Sequence, residues 1–104
     1  MPARRLDAVF SALADPTRRD VVRALGQAPT SASELASRMP VSRQAIAKHL
    51  SSLAAAGLVD SARDGRQVRY RLTPGAFGDA VEWMTEVGAA WDARLAALRR
   101  HVTR

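Results

Sequence analysis

Residues 41–59 restrict the fold of this chain more than any other stretch. On a helix, with about 100° between successive residues, Ile46, Leu50 and Leu53 fall on one side. The opposite side carries small, polar and cationic groups, namely Gln44, Lys48, Ser51 and Ser52. No carboxylate occurs in the whole stretch, although a solvated helix face usually mixes both charge signs. A face without acids suits phosphates and base edges, so the stretch indicates a helix that meets a nucleic acid.

The chain carries a net charge of +6, and this charge is unevenly distributed. Residues 1–72 hold twelve basic and six acidic residues, whereas residues 73–104 hold four of each. Such an excess bears on partners and association rather than on fold. The length of 104 residues suits one domain, so we expect residues 1–104 to form a single unit.

Composition excludes several classes of protein. The chain has no cysteine, which excludes disulfides, thiolate metal sites and a cysteine nucleophile. No apolar run approaches the ~18 residues of a membrane span, and there is no signal-peptide core. No nucleophile stands with a base and an orienting acid, and no glycine-rich phosphate loop occurs. We therefore expect a cytoplasmic protein with no membrane contact, no cofactor and no enzymatic activity.

Apolar spacing and capping residues divide the first part of the chain into helices. The apolar residues of the first helix are Leu6, Val9, Phe10 and Leu13. Asp15 and Pro16 predict the N-cap and the first position of a second helix, which Gly26 ends. The buried stripe of that second helix is Val21, Val22 and Leu25.

A capping box predicts the start of a third helix. Ser31 and Glu34 have the spacing of that motif, and Pro40 ends the helix after it has buried Leu35 and Met39.

The fourth helix is predicted to begin after Ser42, which caps it, and to close at Gly57. A short helix, a tight break at 39–41 and a longer helix form a helix-turn-helix at about residues 33–56.

Residues 58–72 change from helical to alternating periodicity. Apolar residues at 68, 70 and 72 alternate with polar residues at 67, 69 and 71. Asp64-Gly65 is a strong signal for a two-residue hairpin loop with a type I′ turn. Strands near 59–63 and 66–72 therefore form a β-hairpin, and a helix-turn-helix followed by a small hairpin is a winged helix. The fold class is mainly α with a small β-hairpin wing.

The last segment, from about residue 75 to residue 102, is predicted to be one long helix. Its apolar residues alternate steps of four and three, which is a heptad pattern. The members of this seam are Phe77, Val81, Met84, Gly88, Trp91, Leu95, Leu98 and Val102. Such a seam predicts an obligate dimer, because a monomer would expose a large apolar stripe.

Three stretches closely resemble the ArsR family of bacterial winged-helix repressors. They are ALADPTRRDVVRAL at 12–25, SELASRMPVSRQAIAKHLSSLAAAGLV at 33–59 and DGRQVRYRLTP at 64–74. The resemblance implies a homodimer built through the first and last helices. It also implies that double-stranded operator DNA is held by two recognition helices and released when an inducer binds.

The chain departs from the metal-sensing members of that family. These carry a Cys-x-Cys motif before the recognition helix, or Asp-x-His and His-x-x-Glu on the last helix. Here residues 30–39 hold no cysteine, and the only histidine of the last helix is His101. The chain therefore resembles the metal-independent branch, and we expect no metal site and an inducer of unknown identity. The alternative is a metal-responsive repressor that uses His101 and the acids Asp79, Glu82, Glu86 and Asp92, although acids also suit the first turns of any helix.

Gln44 and Lys48 are the main candidates for base contact, because both lie on the outer face of the recognition helix one turn apart. Gln suits adenine, whereas Lys suits guanine or a phosphate. Ser42 is first a cap, Arg43 is expected to clamp a phosphate, and His49 borders the buried face. The full set of predicted DNA-contacting residues is Ser42, Arg43, Gln44, Ala45, Lys48, His49, Arg63, Arg66 and Arg69.

The four arginines of the hairpin form either a DNA-contacting wing or the polar outer face of a small sheet. Arg66 flanks the turn at the tip, where wings meet the minor groove or its phosphates. We therefore rank Arg66 above Arg69 as a DNA contact, and both above Arg71.

Aromatic and apolar residues of the first and last helices are the candidates for a dimer interface. The predicted interface residues are Leu6, Phe10, Val81, Met84, Trp91, Leu95 and Leu98. Trp83 lies off the seam, and it either lines a small-molecule pocket or, as we favour, is a packed aromatic. A protein-interaction module is the alternative from another class, but it offers no reason for the charge excess on residues 1–72.

Overall fold

A computed structural model describes residues 3–102 and the side chains from residue 5 onward. The elements in chain order are α1 Ala3–Ala12, α2 Pro16–Gln27, β1 Thr30–Ser31, α3 Ala32–Arg38, α4 Arg43–Ala55, β2 Val59–Asp64, β3 Gln67–Leu72 and α5 Gly78–Val102. This is a winged helix-turn-helix, as predicted, with α3 and α4 as the helix-turn-helix and β2–β3 as the wing. No helix in the described range is long and apolar enough to cross a membrane.

The predicted N-cap of α2 is confirmed, but its predicted end is wrong. The Asp15 carboxylate accepts a hydrogen bond from the Arg18 N–H at 2.9 Å, and Pro16 occupies the first helical position. Gly26 does not end the helix, which continues to Gln27 with Ala28 as the C-cap. The backbone of Ala28 is extended because the following proline disfavours the helical region for the residue before it.

Two arginines of α2 satisfy the free carbonyl groups at the end of α1. Arg18 donates to the Ala12 carbonyl at 2.6 Å and to the Ser11 carbonyl at 3.2 Å. Arg19 donates to the Leu13 carbonyl at 2.8 Å. Because the last carbonyls of a helix have no partner within it, these contacts join α1 firmly to α2.

The predicted cap of α3 is confirmed, although Glu34 also has another partner. Ser31 accepts a hydrogen bond from the Glu34 N–H at 3.2 Å. The Glu34 carboxylate accepts from the Thr30 hydroxyl at 2.7 Å and lies 3.4 Å from Arg38. The helix ends before Pro40 with Met39 extended, as predicted.

Both ends of α4 follow from the sequence. Ser42 accepts from the Ala45 N–H at 3.1 Å. At the other end Gly57 has a φ of 79°, its N–H reaches the Ala54 carbonyl at 3.0 Å, and the Leu58 N–H reaches the Leu53 carbonyl at 3.0 Å. These two bonds form a Schellman motif, which favours a glycine because of the positive φ.

The sheet has three strands in the order β1-β3-β2, one more than predicted. The additional strand β1 is only two residues long and pairs with β3, placing Thr30 opposite Tyr70. The sequence did not predict this strand, because two residues are too few to show an alternating pattern.

The loop of the hairpin lies one residue later than predicted. Asp64 pairs with Gln67, so the two-residue loop is Gly65-Arg66 rather than Asp64-Gly65. Of the two loop residues, only Gly65 has a positive φ, at 64°. A positive φ at the first loop position alone is the pattern of a type II′ turn, so the predicted type I′ turn is wrong.

The last helix begins at Gly78 rather than near residue 75. The preceding residues form turns, in which the Ala76 N–H donates to the Thr73 carbonyl at 3.0 Å. Gly75 has a φ of 73°, which is incompatible with a right-handed helix. The helix therefore starts only after this turn.

The core lies between α1, α2, α3, α4, the base of the wing and the start of α5. Its largest fully buried side chains are Leu35, Ile46, Leu50, Leu53, Leu58 and Val21. The half-buried apolar residues around it include Leu6, Phe10, Met39, Tyr70 and Leu72.

Candidate nucleic-acid interface

The two faces of α4 differ as the sequence predicts. Ile46, Leu50 and Leu53 are at most 1% exposed, so they fix the helix to the core. Gln44 and Lys48 are exposed on the opposite face. The packing therefore holds the polar face outward without using any of its functional groups.

The remaining predicted contacts on α4 surround its first two turns. Ser42 and Arg43 are exposed, whereas Ala45 and His49 are half-buried. The Arg18 N–H holds the pKa of Asp15 below its usual value, and the charge of the Arg18 guanidinium acts in the same direction.

The arginines of the wing differ in what they contact. On one face of the hairpin Arg69 lies 2.8 Å from Asp64, and Arg71 lies 2.7 Å from Asp60. The Asp60 carboxylate raises the pKa of Arg71. Both guanidinium groups are thus engaged by acids of the neighbouring strand.

Arg63 and Arg66 have no such partners. Within residues 5–102, no carboxylate lies within ion-pair distance of either guanidinium. Arg63 stands opposite Val68 on the other face of the hairpin, and Arg66 occupies the loop at its tip. Both are exposed, so two of the four wing arginines remain free for an external anion.

An open cleft of about 580 Å³ separates the start of α4 from the wing. Arg43, Gln44 and Ala47 line it from α4, and Arg66 of the hairpin loop and Gln67 of β3 line it from the wing. The remaining lining residues are Ser31, Ala32, Ser33, Val68 and Tyr70. The cleft thus brings together two predicted cations, Arg43 and Arg66, that are 23 positions apart in sequence.

Sequence reasoning missed three polar residues of this cleft, Ser33, Gln67 and Tyr70. No local motif marks them, because their position depends on how β3 packs beside α3. Lys48, by contrast, lies outside the cleft, on a shallow surface with Ser42 and Ala45.

The predicted interface residues of α5 are mostly exposed in the protomer. Val81, Met84, Trp91 and Leu98 are between 49% and 58% exposed. Leu95 is half-buried, as are Leu6 and Phe10 on α1. Trp83 packs edge-on against Phe10 with ring centroids 5.6 Å apart, which is one packing contact of the kind favoured from sequence, but the residue is still 46% exposed in the protomer.

The acids of α5 do not gather in the protomer. Among the described side chains, no three His, Asp or Glu residues are placed to hold a metal ion together. Asp79 lies 4.0 Å from Arg5 of α1, and His101 is at the opposite end of the helix.

A helix-turn-helix with a polar, acid-free second helix, followed by a wing with free arginines at its tip, defines a winged-helix DNA-binding protein. A family model described as a helix-turn-helix domain matches residues 13–62. The chain is 32% identical over 76 residues to the transcriptional repressor SdpR of Bacillus subtilis, covering 73% of this chain and 84% of SdpR. It is 42% identical over 71 residues to the regulator Rv2034 of Mycobacterium tuberculosis, covering 68% of this chain and 66% of Rv2034.

Solved structures agree with these relatives. An ArsR-like transcriptional regulator from Rhodococcus sp. RHA1 is 48% identical and superposes with a TM-score of 0.80, covering 94% of this chain and 92% of that one. This chain belongs to the ArsR family of winged helix-turn-helix transcriptional regulators. It is accordingly a DNA-binding regulator and not an enzyme.

Proposed function

We propose that this protein is a homodimeric, sequence-specific repressor. It binds a palindromic operator in double-stranded DNA and releases it when an inducer of unknown identity binds. The observation that carries the proposal is the cationic surface shared by α4 and the wing tip. Arg43, Lys48, Arg63 and Arg66 are all exposed there, and within residues 5–102 none of them is paired with an acid.

Base reading is assigned to the exposed face of α4. The Gln44 amide both donates and accepts, which matches the N6 and N7 positions of adenine in the major groove. Lys48 lies one turn further along and suits either guanine or a phosphate. The half-buried Ala45 and His49 border this face, and Ser42 and Arg43 stand at its start near the backbone.

Dimer formation is assigned to α1 and α5. The protomer measures 67 × 29 × 20 Å with a radius of gyration of 18.2 Å. A compact chain of about 100 residues has a radius of gyration near 13 Å. The extension comes from α5, whose apolar face is exposed at Val81, Met84, Trp91 and Leu98. A second copy with the same face would cover it.

A two-fold dimer predicts the form of the operator. The same surface is used twice, so each recognition helix meets an equivalent half-site and the sequence reads as an inverted repeat. Half-sites of helix-turn-helix dimers lie about 34–36 Å apart, or one helical turn.

The proposal is tested by selecting bound duplexes from a random-sequence library and then measuring two variants on the selected sequence. Gln44→Ala is expected to flatten preference at one symmetric pair of positions, with a loss of about 1–3 kcal/mol per half-site. Arg66→Ala is expected to weaken selected and random duplexes alike, because a phosphate contact carries no sequence information.

Arg71→Ala is the matched control, because this wing arginine is already held by Asp60 of the neighbouring strand, on the hairpin face opposite to Arg63. It should change both affinities little. Selection that yields no inverted repeat, or binding that does not depend on salt, would overturn the proposal and favour a protein-interaction module. An unchanged sequence preference in Gln44→Ala would overturn the assignment of base reading to α4.

A further inference from the structure

The cleft between α4 and the wing has an electrostatic character of its own. Two arginines, Arg43 and Arg66, line it, and none of the described residues that line it carries a carboxylate. The acids of the wing, Asp60 and Asp64, are engaged with Arg71 and Arg69. The cleft is therefore a positively charged slot, open to solvent, with polar groups along its length.

The geometry of B-DNA determines what must enter this slot if the proposed function holds. The major and minor grooves are adjacent and are separated by one sugar-phosphate strand. A protein that places α4 in a major groove and its wing tip at the neighbouring minor groove must straddle that strand. The cleft between α4 and the wing would then face that strand from both sides.

We propose that the cleft holds this sugar-phosphate strand, and that Arg43 and Arg66 bind the same backbone phosphate in it. This inference rests on the proposed function and assigns a shared ligand to two residues from different elements. Guanidinium groups suit the role, since their planar donor array matches phosphate oxygens.

Two polar side chains of the cleft extend the same contact. Ser33 is an exposed residue that lines the cleft from α3, and Gln67 lines it from the wing. Serine and glutamine are common donors to phosphate and sugar oxygens, and such contacts set register without reading sequence. Ser33 and Gln67 are therefore positioning residues for the strand.

The test uses the selected duplex with one neutral methylphosphonate linkage placed in each half-site and moved along the backbone. Arg43→Ala, Arg66→Ala and the double variant are compared with the wild-type protein at each position. We expect Arg43→Ala and Arg66→Ala to respond to the same neutral linkage. On unmodified DNA, each single variant should weaken binding by at least about tenfold. On DNA with the neutral linkage at that position, each variant should weaken binding by less than about threefold, because the neutral linkage has already removed most of the charge-assisted bond.

The double variant supplies a second readout. If both arginines bind one phosphate, its loss of affinity is smaller than the product of the two single losses, because contacts through one group are not independent. Arg71→Ala is the control, and it should respond to no linkage. All three positions are exposed, and circular dichroism of each variant checks that the fold is intact.

Two results would overturn the inference, and they are distinguishable. If Arg43 and Arg66 respond to different linkages and their losses multiply, the shared phosphate is wrong while the proposed function stands. If no duplex is selected and no linkage affects binding, the proposed function itself fails.

Discussion

The recognition helix α4 buries its apolar residues in the core, whereas the last helix α5 leaves most of its apolar residues exposed. In α4 the apolar residues are inside, and Leu50 is 1% exposed. In α5 only Ala80 is buried, whereas Trp91 and Leu98 are each 58% exposed. From residue 85 onward, every described residue of α5 is exposed except the half-buried Gly88 and Leu95.

This difference shows which part of the molecule a single protomer completes. The DNA-reading unit has its core, its caps and its cationic surface within one chain. α5 is a helix of 25 residues, and the described part of the protomer does not cover its apolar side. We infer that folding of one chain sets the shape of the reading unit, and that pairing of two chains sets the distance between two such units.

The largest expected effect is the loss of dimer formation through α5. Trp91→Glu would bury an unpaired carboxylate twice in a symmetric interface, at a cost of several kcal/mol for each copy. We expect the dimer dissociation constant, measured by sedimentation, to rise by about a thousandfold or more. Ala89→Glu is the control, because residue 89 lies on the opposite face of α5. A folded wild-type monomer at micromolar concentration would refute the prediction.

A pair of leucine substitutions sharpens the comparison. Leu50→Ala opens a cavity in the core and should lower the free energy of unfolding by about 2–5 kcal/mol at every protein concentration. Leu98→Ala should act mainly through association, so its effect on thermal stability should depend on concentration. Calorimetry over about a hundredfold range of protein concentration separates the two effects, because such a range shifts the unfolding midpoint of a dimer measurably. Equal, concentration-independent effects would show that α5 is stable without a partner.

The smallest expected effect concerns metals and α5. A tight zinc-type site needs roughly four ligands, usually histidine or cysteine. The chain has two histidines, His49 and His101, and they lie on different helices. Zinc, nickel, cobalt or a chelator is expected to leave DNA affinity unchanged. A reproducible shift of about tenfold, or ~1.4 kcal/mol, would instead support a site built from His101 and the α5 acids.

Caps and periodicity carried most of the prediction of the helices. Asp15, Ser31 and Ser42 accept the N–H groups predicted for them, and Gly57 ends α4 with a positive φ. Each of these features depends on residues no more than five positions apart. Gly26 gave a wrong prediction for the end of α2. The helix continues past this glycine to Gln27, and the proline at position 29 ends it.

The sequence by itself determined the helices, the apolar side of α4 and the presence of a wing, because these depend on local backbone preferences and on the period of apolar residues. Only the tertiary structure decided that Thr30 and Ser31 pair with β3, and that Arg69 and Arg71 are held by acids while no acid among the described residues pairs with Arg63 or Arg66. It also decided that Arg43 and Arg66 face one cleft. These outcomes depend on strand register and on packing between distant segments, and a one-residue change in the hairpin register would have moved each arginine to the other face.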